Sequence, residues 1–102
     1  MSTTFIIVSY NTCDLILSCL KSLAKFEKNS QVIVVDNNSQ DHSAKAIKTH
    51  FPKVNLILSD QNLGFARANN LGIKQANSDF IILLNSDTEL ESPISPQLTM
   101  TY

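Results

Sequence analysis

Residues Val32 to Asp41 read VIVVDNNSQD, four β-branched apolar residues followed by six polar ones. A run that is apolar at every position predicts a strand covered on both faces, as in a parallel sheet between two layers of helices. The Asn, Asp and Ser side chains after the run bond readily to nearby backbone groups, which is typical of a loop. The stretch therefore indicates the carboxyl end of a buried parallel strand.

The same unit occurs three more times along the chain. Residues 5–8 and 80–84 are apolar throughout, and residues 54–58 predict a partly alternating strand, because Asn55 interrupts the apolar residues. Between the runs, apolar residues recur at helical spacing, over residues 14–26, 44–51 and 65–76. The order βαβαβαβ, joined by right-handed crossovers, predicts an α/β fold with three layers, α/β/α, around a mostly parallel, doubly wound sheet. We expect Asp14 or Thr12 to cap the first helix.

The length and composition predict one folded unit. A chain of 102 residues with 43% hydrophobic residues is long enough for a single domain. The strand–helix pattern ends after Asp87, and the two prolines beyond it belong to no recognisable element. We therefore expect residues 1–92 to fold and residues 93–102 to form an irregular tail, with Glu89 and Glu91 in a solvated linker.

Charge and composition exclude several classes of protein. The net charge of −1 argues against a nucleic-acid partner, and no apolar stretch is long enough to form a transmembrane segment. Cys13 and Cys19 are too few for a disulfide scaffold, and no secretory signal is apparent, so we expect a cytoplasmic location. The only glycines, Gly64 and Gly72, rule out the glycine-rich phosphate loops.

Polar clusters follow all four predicted strands. In an open parallel sheet, ligands bind outside the carboxyl ends of the strands, which lie along one edge. Loops after strands also favour Asn, Asp and Ser for structural reasons, so no single cluster identifies a site. The clusters are Ser9-Tyr10-Asn11, Asp36-Asn37-Asn38-Ser39, Asp60-Gln61-Asn62 and Asn85-Ser86-Asp87.

The triplet Asn85-Ser86-Asp87 is the sharpest of these clusters. If the chain stays extended, Asn85 and Asp87 point to the same side. Two oxygen ligands there can hold Mg²⁺ or Mn²⁺ jointly with the phosphates of a nucleotide. The structural alternative is an Asx turn that ends the strand.

Three further side chains have chemistry suited to a nucleotide. The Asp36 carboxylate can accept hydrogen bonds from a base or ribose, or it can cap the next helix. Tyr10 can stack on a base, or it can cover the edge of the core. Arg67, one turn inside the third helix, can pair with a diphosphate, or it can be a solvated helix residue.

Four motifs in order resemble a known family. They are FIIVSYN (5–11), VIVVDNNSQD (32–41), NLGFARANNLGI (62–73) and ILLNSDT (82–88). Together they resemble the donor-binding part of a family 2 glycosyltransferase, and the Asn-x-Asp form of the last motif is similar to the rhamnosyltransferase-like branch. The resemblance implies the GT-A fold, here truncated, a nucleoside-diphosphate sugar as donor, a divalent metal (Mn or Mg) and inverting transfer.

The resemblance also implies roles for single residues. Tyr10 would flank the base, Asp36 would bind the base or ribose, and Asp87 would be the metal ligand. The full set of implied nucleotide-binding residues is Ser9, Tyr10, Asn11, Asp36, Asn38, Arg67 and Asn85. Two positions depart from the common pattern, because Asn37 stands where many members have a second Asp, and Asn85 replaces the first carboxylate of Asp-x-Asp.

Members of the family usually continue into an acceptor-binding half that supplies the catalytic base. No residue after Asp87 stands in a recognisable setting for that role, so the base is unknown and residues 1–92 are interpreted as the nucleotide-sugar-binding half. The acceptor would be a saccharide or a lipid-linked molecule, and the cytoplasmic chain would be peripheral to the inner face of the membrane. The alternative is a catalytically inactive remnant that serves as a binding or assembly module. Because residues 80–84 would form an unpaired sheet edge, we also expect a homodimer through that edge.

Overall fold

A computed structural model describes residues 2–92, in which four strands alternate with three helices. The strands are β1 (Thr3–Ser9), β2 (Gln31–Asp36), β3 (Asn55–Leu58) and β4 (Phe80–Asn85). The helices are α1 (Cys13–Phe26), α2 (Ser43–His50) and α3 (Phe65–Gln75). All seven predicted elements are present. The tail assigned to residues 93–102 lies outside the described residues.

The sheet is parallel throughout, with the strand order β3-β2-β1-β4. Helices α1 and α2 pack side by side on one face, while α3 contacts β1 and β2 from the other face. The chain first adds strands on one side of β1 and then crosses over to add β4 on the other side. The predicted doubly wound, three-layer arrangement is thus confirmed, and its topological switch point lies between β1 and β4.

The core has two parts, one on each face of the sheet. Alternate residues of β1 supply both, with Phe5 and Ile7 facing α1 and Ile6 facing α3. The larger part is completed by apolar residues of α1, α2 and β2. The smaller part joins Ile6 to Ile33, Val35 and Ala68. Strands buried on both faces explain why β1 and β2 are apolar at successive positions.

A glycine allows α3 to approach the sheet closely. A Cβ atom built on Gly72 would lie 2.5 Å from Cγ2 of Ile6, a separation that packed carbon atoms do not adopt. Any larger residue at this position would push α3 away from β1 and open the smaller part of the core.

Strand β4 departs from the expected burial. The continuous apolar run at 80–84 predicted cover on both faces, and this is wrong for β4, because Ile81 and Leu83 are 41% and 48% exposed. Ile82 and Leu84 pack against the larger part of the core on the other face. The reason is that α3 lies over β1 and β2, and within residues 2–92 no element covers that face of β4.

The segment after β4 is anchored to α1. Leu90 is buried in the larger part of the core, and its backbone N–H donates to Oγ of Ser22 at 3.0 Å. Glu89 and Glu91 on either side are exposed, as expected for solvated residues. Within residues 2–92, no helix has both the length and the apolar character needed to cross a bilayer.

Candidate functional site

The carboxyl edge of the sheet carries an open groove of about 500 Å³. Polar residues that follow all four strands line it, as the clusters predicted, and it adjoins the switch point between β1 and β4. The lining residues are Val8, Tyr10, Thr12, Leu15, Asn37, Asn62, Gly64, Phe65, Asn85, Ser86 and Asp87. A second recess, of about 540 Å³, lies at the opposite edge of the sheet. Open α/β sheets bind substrates at the carboxyl edge, so the first groove is the candidate site.

The end of β4 supplies Asn85, Ser86 and Asp87 to the groove through a turn. The N–H of Thr88 donates to the carbonyl oxygen of Asn85 at 3.0 Å, so the chain reverses direction directly after the strand. The premise that the chain stays extended here is therefore wrong. The turn nevertheless leaves both Asn85 and Asp87 exposed along the groove.

The donor groups at this turn fit an ion that is shared with a ligand. Asp87 is the one carboxylate among the residues that line the groove, and Asn85 adds an amide oxygen. Within residues 2–92, no cluster of three or more His, Cys, Asp or Glu side chains can hold a metal by itself. Mg²⁺ and similar ions bind through one or two carboxylates plus substrate phosphates, which is the arrangement that this groove can offer.

The negative charge of Asp87 also affects the pKa of Cys19 on α1. Burial, and secondarily the negative charge of Asp87, raise the pKa of the Cys19 thiol to about 11. Cys19 therefore stays protonated at neutral pH and is not a nucleophile. The free thiol of Cys13 is half-buried at the start of α1.

Asn37 holds two walls of the groove together. Its side-chain nitrogen donates to Oδ1 of Asn62 at 2.9 Å and weakly to the carbonyl of Gly64 at 3.4 Å. Its side-chain oxygen accepts the N–H of Leu63 at 2.7 Å. The sequence showed Asn37 only as a departure from a family pattern, whereas the structure gives its amide a bridging function between β2 and the loop before α3.

Ser9 and Asn11 support the loops behind the groove and do not line it. Ser9 is buried, with its hydroxyl 3.2 Å from that of Thr12. The N–H of Asn11 donates to Oγ of Ser39 at 2.9 Å, and its side-chain oxygen accepts the N–H of Gln40 at 2.7 Å. These bonds join the loop after β1 to the loop after β2. Asn11 has a φ of 52°, a left-handed conformation that Asn tolerates well.

Asp36 lies at the end of β2, next to the groove-lining Asn37, and is only 4% exposed. Its Oδ2 accepts the N–H of Ser39 at 3.1 Å, four residues before α2 begins, so Asp36 does not cap that helix. Its Oδ1 is buried and has no hydrogen-bond partner. A buried carboxylate oxygen without a hydrogen bond is energetically costly. Asp36 Oδ1 can therefore accept a hydrogen bond from a donor group outside residues 2–92.

Asn38 and Arg67 also lie away from the groove lining. Asn38 is half-buried in the loop after β2, with a φ of 65°. Arg67 is exposed on the first turn of α3. The start of that helix reaches the groove through Gly64 and Phe65.

Asp41, which lies 28 residues from Cys13 in sequence, caps the start of α1. Thr12 occupies the N-cap position without a side-chain cap bond, and the N–H of Cys13 donates to Oδ2 of Asp41 at 3.2 Å. Thr12 is thus the N-cap residue, as one of the two expectations had it, but the side-chain bond to the first turn comes from Asp41 and not from Thr12 or Asp14. The other oxygen of Asp41 accepts the N–H and the hydroxyl of Ser43 at the start of α2. These bonds hold the pKa of Asp41 below its usual value, and the bond from the Ser43 hydroxyl has the largest effect.

Sequence reasoning missed the apolar part of the groove. Phe65 and Leu15 line it and are 58% and 48% exposed. Helical spacing placed Phe65 on the buried face of its helix. Its position directly after Gly64, at the carboxyl edge of the sheet, was the signal that it belongs to the groove.

A curated relative aligns with most of this chain. The chain is 35% identical over 89 residues to the poly-beta-1,6-N-acetyl-D-glucosamine synthase of Staphylococcus aureus strain MSSA476, a match that takes in 83% of this chain. It covers 21% of that protein, so the chain spans about a fifth of its length.

Solved structures share the fold. The Staphylococcus aureus protein TarS (residues 1–349), solved with UDP-GlcNAc, is 27% identical with a TM-score of 0.81, over 99% of this chain and 30% of that one. The mannosyltransferase PcManGT of Pyrobaculum calidifontis, solved with GDP-Man and Mn²⁺, is 25% identical with a TM-score of 0.76, over 88% of this chain and 28% of that one. The likeness to these two structures confirms the GT-A fold, in truncated form.

The family follows from a match along nearly the whole chain. The family model described as "Glycosyl transferase family 2" matches residues 4–97. That range contains the three helices and every residue that lines the groove. The resemblance based on the four motifs is thus confirmed, and this chain belongs to glycosyl transferase family 2.

Proposed function

We propose that the groove is the donor site of an inverting glycosyltransferase and binds a nucleoside-diphosphate sugar with Mn²⁺ or Mg²⁺. The observation that carries the proposal is the position of the groove at the switch point between β1 and β4, with Tyr10 and Asp87 both in its lining. An aromatic ring and a carboxylate in one groove suit two parts of such a donor, because the flat base can stack on the ring and the diphosphate can share a divalent cation with the carboxylate.

The base is proposed to stack on Tyr10. This side chain is 46% exposed and lines the groove, so its ring is accessible to a ligand. Stacking on an aromatic ring contributes about 1–3 kcal/mol per base. Asp36 is proposed to meet the base or ribose through its unpaired Oδ1, once the loop after β2 opens to the ligand. Ser9, Asn11 and Asn38 shape that loop.

The diphosphate is proposed to lie near the turn after β4. Asp87 would hold the metal ion, and Asn85 would contact the ribose or the sugar. The ion, when bound, neutralises the charge that develops on the departing nucleoside diphosphate. Arg67 lies on the helix whose first turn borders the groove, and its long exposed side chain is proposed to pair with the phosphates.

The donor and acceptor classes are proposals with support from relatives. TarS was solved with UDP-GlcNAc, and PcManGT with GDP-Man and Mn²⁺, so sugar nucleotides and a divalent ion suit this fold. The Asn85-Ser86-Asp87 form favours the rhamnosyltransferase-like branch. The name of the curated relative favours polysaccharide biosynthesis, with a saccharide or lipid-linked acceptor at the inner face of the membrane.

Calorimetry on the purified 102-residue chain tests the metal site directly. UDP, dTDP and GDP are titrated with and without Mn²⁺, against the unchanged chain and Asp87→Asn. The substitution keeps the shape of the side chain and removes its charge, so the Mn²⁺-dependent gain in affinity should disappear. Glu91→Gln is the matched control, because Glu91 is an exposed carboxylate that does not line the groove.

Two results would contradict the proposal. Full Mn²⁺ dependence in Asp87→Asn would remove Asp87 from the metal site. Failure of Tyr10→Ala to weaken binding of any nucleotide would remove the base from this groove, with Tyr10→Phe as the variant that retains stacking.

A further inference from the structure

The net charge of −1 conceals a strongly uneven distribution. Six of the eight Lys and Arg residues lie between positions 21 and 53, and all six are exposed. Among the acidic residues of the same segment, Glu27 and Asp36 are buried and only Asp41 is exposed, close to the start of α2. The cations therefore concentrate in this segment, and the exposed carboxylates of the same face, which are Asp14 on α1 and Glu89 and Glu91 on either side of Leu90, lie outside it. The six cations are Lys21, Lys25, Lys28, Lys45, Lys48 and Lys53.

Several of these lysines surround one spot at the edge of the sheet opposite the candidate site. The recess of about 540 Å³ is lined by Lys28, His50 and Lys53, together with Phe51. A smaller recess of about 260 Å³ between α1 and α2 is lined by Lys21 and shares His50 and Phe51. We name the set Lys21, Lys25, Lys28, His50 and Lys53 the basic end surface. Lys25 belongs to it by its position one helical turn beyond Lys21.

The floor of the larger recess is mostly apolar. Leu20 and Leu23 form its buried part, while Phe51 and Val54 are half-buried at its rim. One carboxylate, Glu27, also lines the recess. It is buried, whereas Lys28 and Lys53 beside it are exposed, so the ammonium groups are the charges that a ligand at this surface meets first.

We propose that the basic end surface binds the anionic headgroups of a phospholipid bilayer. Clusters of four or more lysines on one surface bind such membranes, and each lysine strengthens binding by about fivefold. The cations of this surface are lysines, with no arginine among them. An ammonium group on a flexible stem suits a fluid array of phosphates, whereas a fixed phosphate or carboxylate on a protein is usually met by the planar fork of arginine.

Membrane binding by the basic end surface is compatible with the proposed donor site. The two proposals concern different surfaces, so membrane binding does not depend on donor binding. The basic end surface lies at the amino edge of the sheet, and the candidate donor groove lies at the carboxyl edge. A chain held to a bilayer by its basic end surface would keep the groove open to a sugar nucleotide in solution.

Vesicle flotation with the 102-residue chain tests the proposal. Vesicles of phosphatidylcholine mixed with phosphatidylglycerol should bind the chain, pure phosphatidylcholine vesicles should not, and added salt should release it. Lys28→Gln/Lys53→Gln should weaken binding by about 30-fold, because each of the two lysines is expected to strengthen binding by about fivefold. Lys45→Gln/Lys74→Gln removes the same charge from two exposed lysines outside the basic end surface and should cost less than about fivefold. Urea unfolding of both double variants checks that they fold.

Three outcomes would overturn the proposal. Equal binding to neutral and anionic vesicles would mean that headgroup charge is not recognised. Equal loss in the two double variants would mean that only net charge matters. Binding to poly-glutamate without binding to anionic vesicles would mean that this surface serves an acidic protein partner.

Discussion

The side-chain nitrogen of Asn37 donates a hydrogen bond to Oδ1 of Asn62 at 2.9 Å, and this bond joins the end of β2 to the loop that leads into α3. The oxygen of the same amide accepts the N–H of Leu63, so Asn37 uses both ends of its side chain. It is 3% exposed, which leaves almost no water to replace a lost partner. A carboxylate at this position could accept but could not donate.

Asn37→Asp is therefore expected to destabilise the chain by about 1–3 kcal/mol, because a buried acceptor would face the oxygens of Asn62 and Gly64. Urea unfolding at neutral pH measures the free energy of unfolding. Asn38→Asp is the matched control, since it adds the same charge one residue away at a half-buried position. Equal effects from the two variants would show that charge alone, and not the lost donor, is responsible.

The fold could be predicted because its signals are local. Four apolar runs, each followed by Asn, Asp or Ser, identify strand ends, and the helical spacing between them leaves few topologies. Because the carboxyl ends of parallel strands share one edge, the presence of Tyr10, Asn85 and Asp87 in one groove follows from topology alone.

The parts that could not be predicted depend on contacts between distant residues. The cap of α1 comes from Asp41, in a loop whose path the sequence of α1 does not specify. The exposed face of β4 reflects where α3 lies, and the apolar run at 80–84 is the same with or without a covering helix. The exclusion of Ser9, Asn11, Asp36, Asn38 and Arg67 from the groove lining depends on the path of two loops and on the direction of side chains.

The hydrogen bonds that Asp41 accepts should make the free energy of unfolding depend on pH. Hydrogen bonds from Ser43 lower the pKa of Asp41 in the folded state, and the bond from the Ser43 hydroxyl is the largest cause. The folded state therefore binds fewer protons than the unfolded state as the pH falls. The contribution is present above the usual pKa of an aspartate and is lost as the pH drops through the lower pKa of the folded state. In Ser43→Ala, an NMR titration should place the Asp41 pKa higher, and the urea midpoint should fall less steeply on acidification. An unchanged Asp41 pKa in this variant would contradict the assignment.

The edge of β4 should mediate self-association. Residues 80–85 carry no charge and no proline, Ile81 and Leu83 are exposed, and no other strand of residues 2–92 pairs with the free edge. Such an edge is a template for a second copy of the chain. Leu83→Lys should shift the chain towards monomer in sedimentation equilibrium at about 10 μM, where weak contacts of this kind form. Leu58→Lys, at the exposed end of the opposite edge strand β3, is the control and should leave association unchanged.

The chain by itself should bind a sugar nucleotide without transferring the sugar. Inverting transfer needs a base that deprotonates the acceptor and a surface that orients it, and together these lower the barrier by on the order of 10 kcal/mol. Asp87 is the one carboxylate that lines the groove, and the metal occupies it in the proposed function. Asp60, Glu89 and Glu91 are exposed and do not line the groove. Incubation with Mn²⁺, a panel of sugar nucleotides and candidate acceptors should therefore release nucleoside diphosphate at the rate seen without protein. Release that depends on the acceptor would contradict this expectation and would direct the search for the base to substitutions of those three carboxylates.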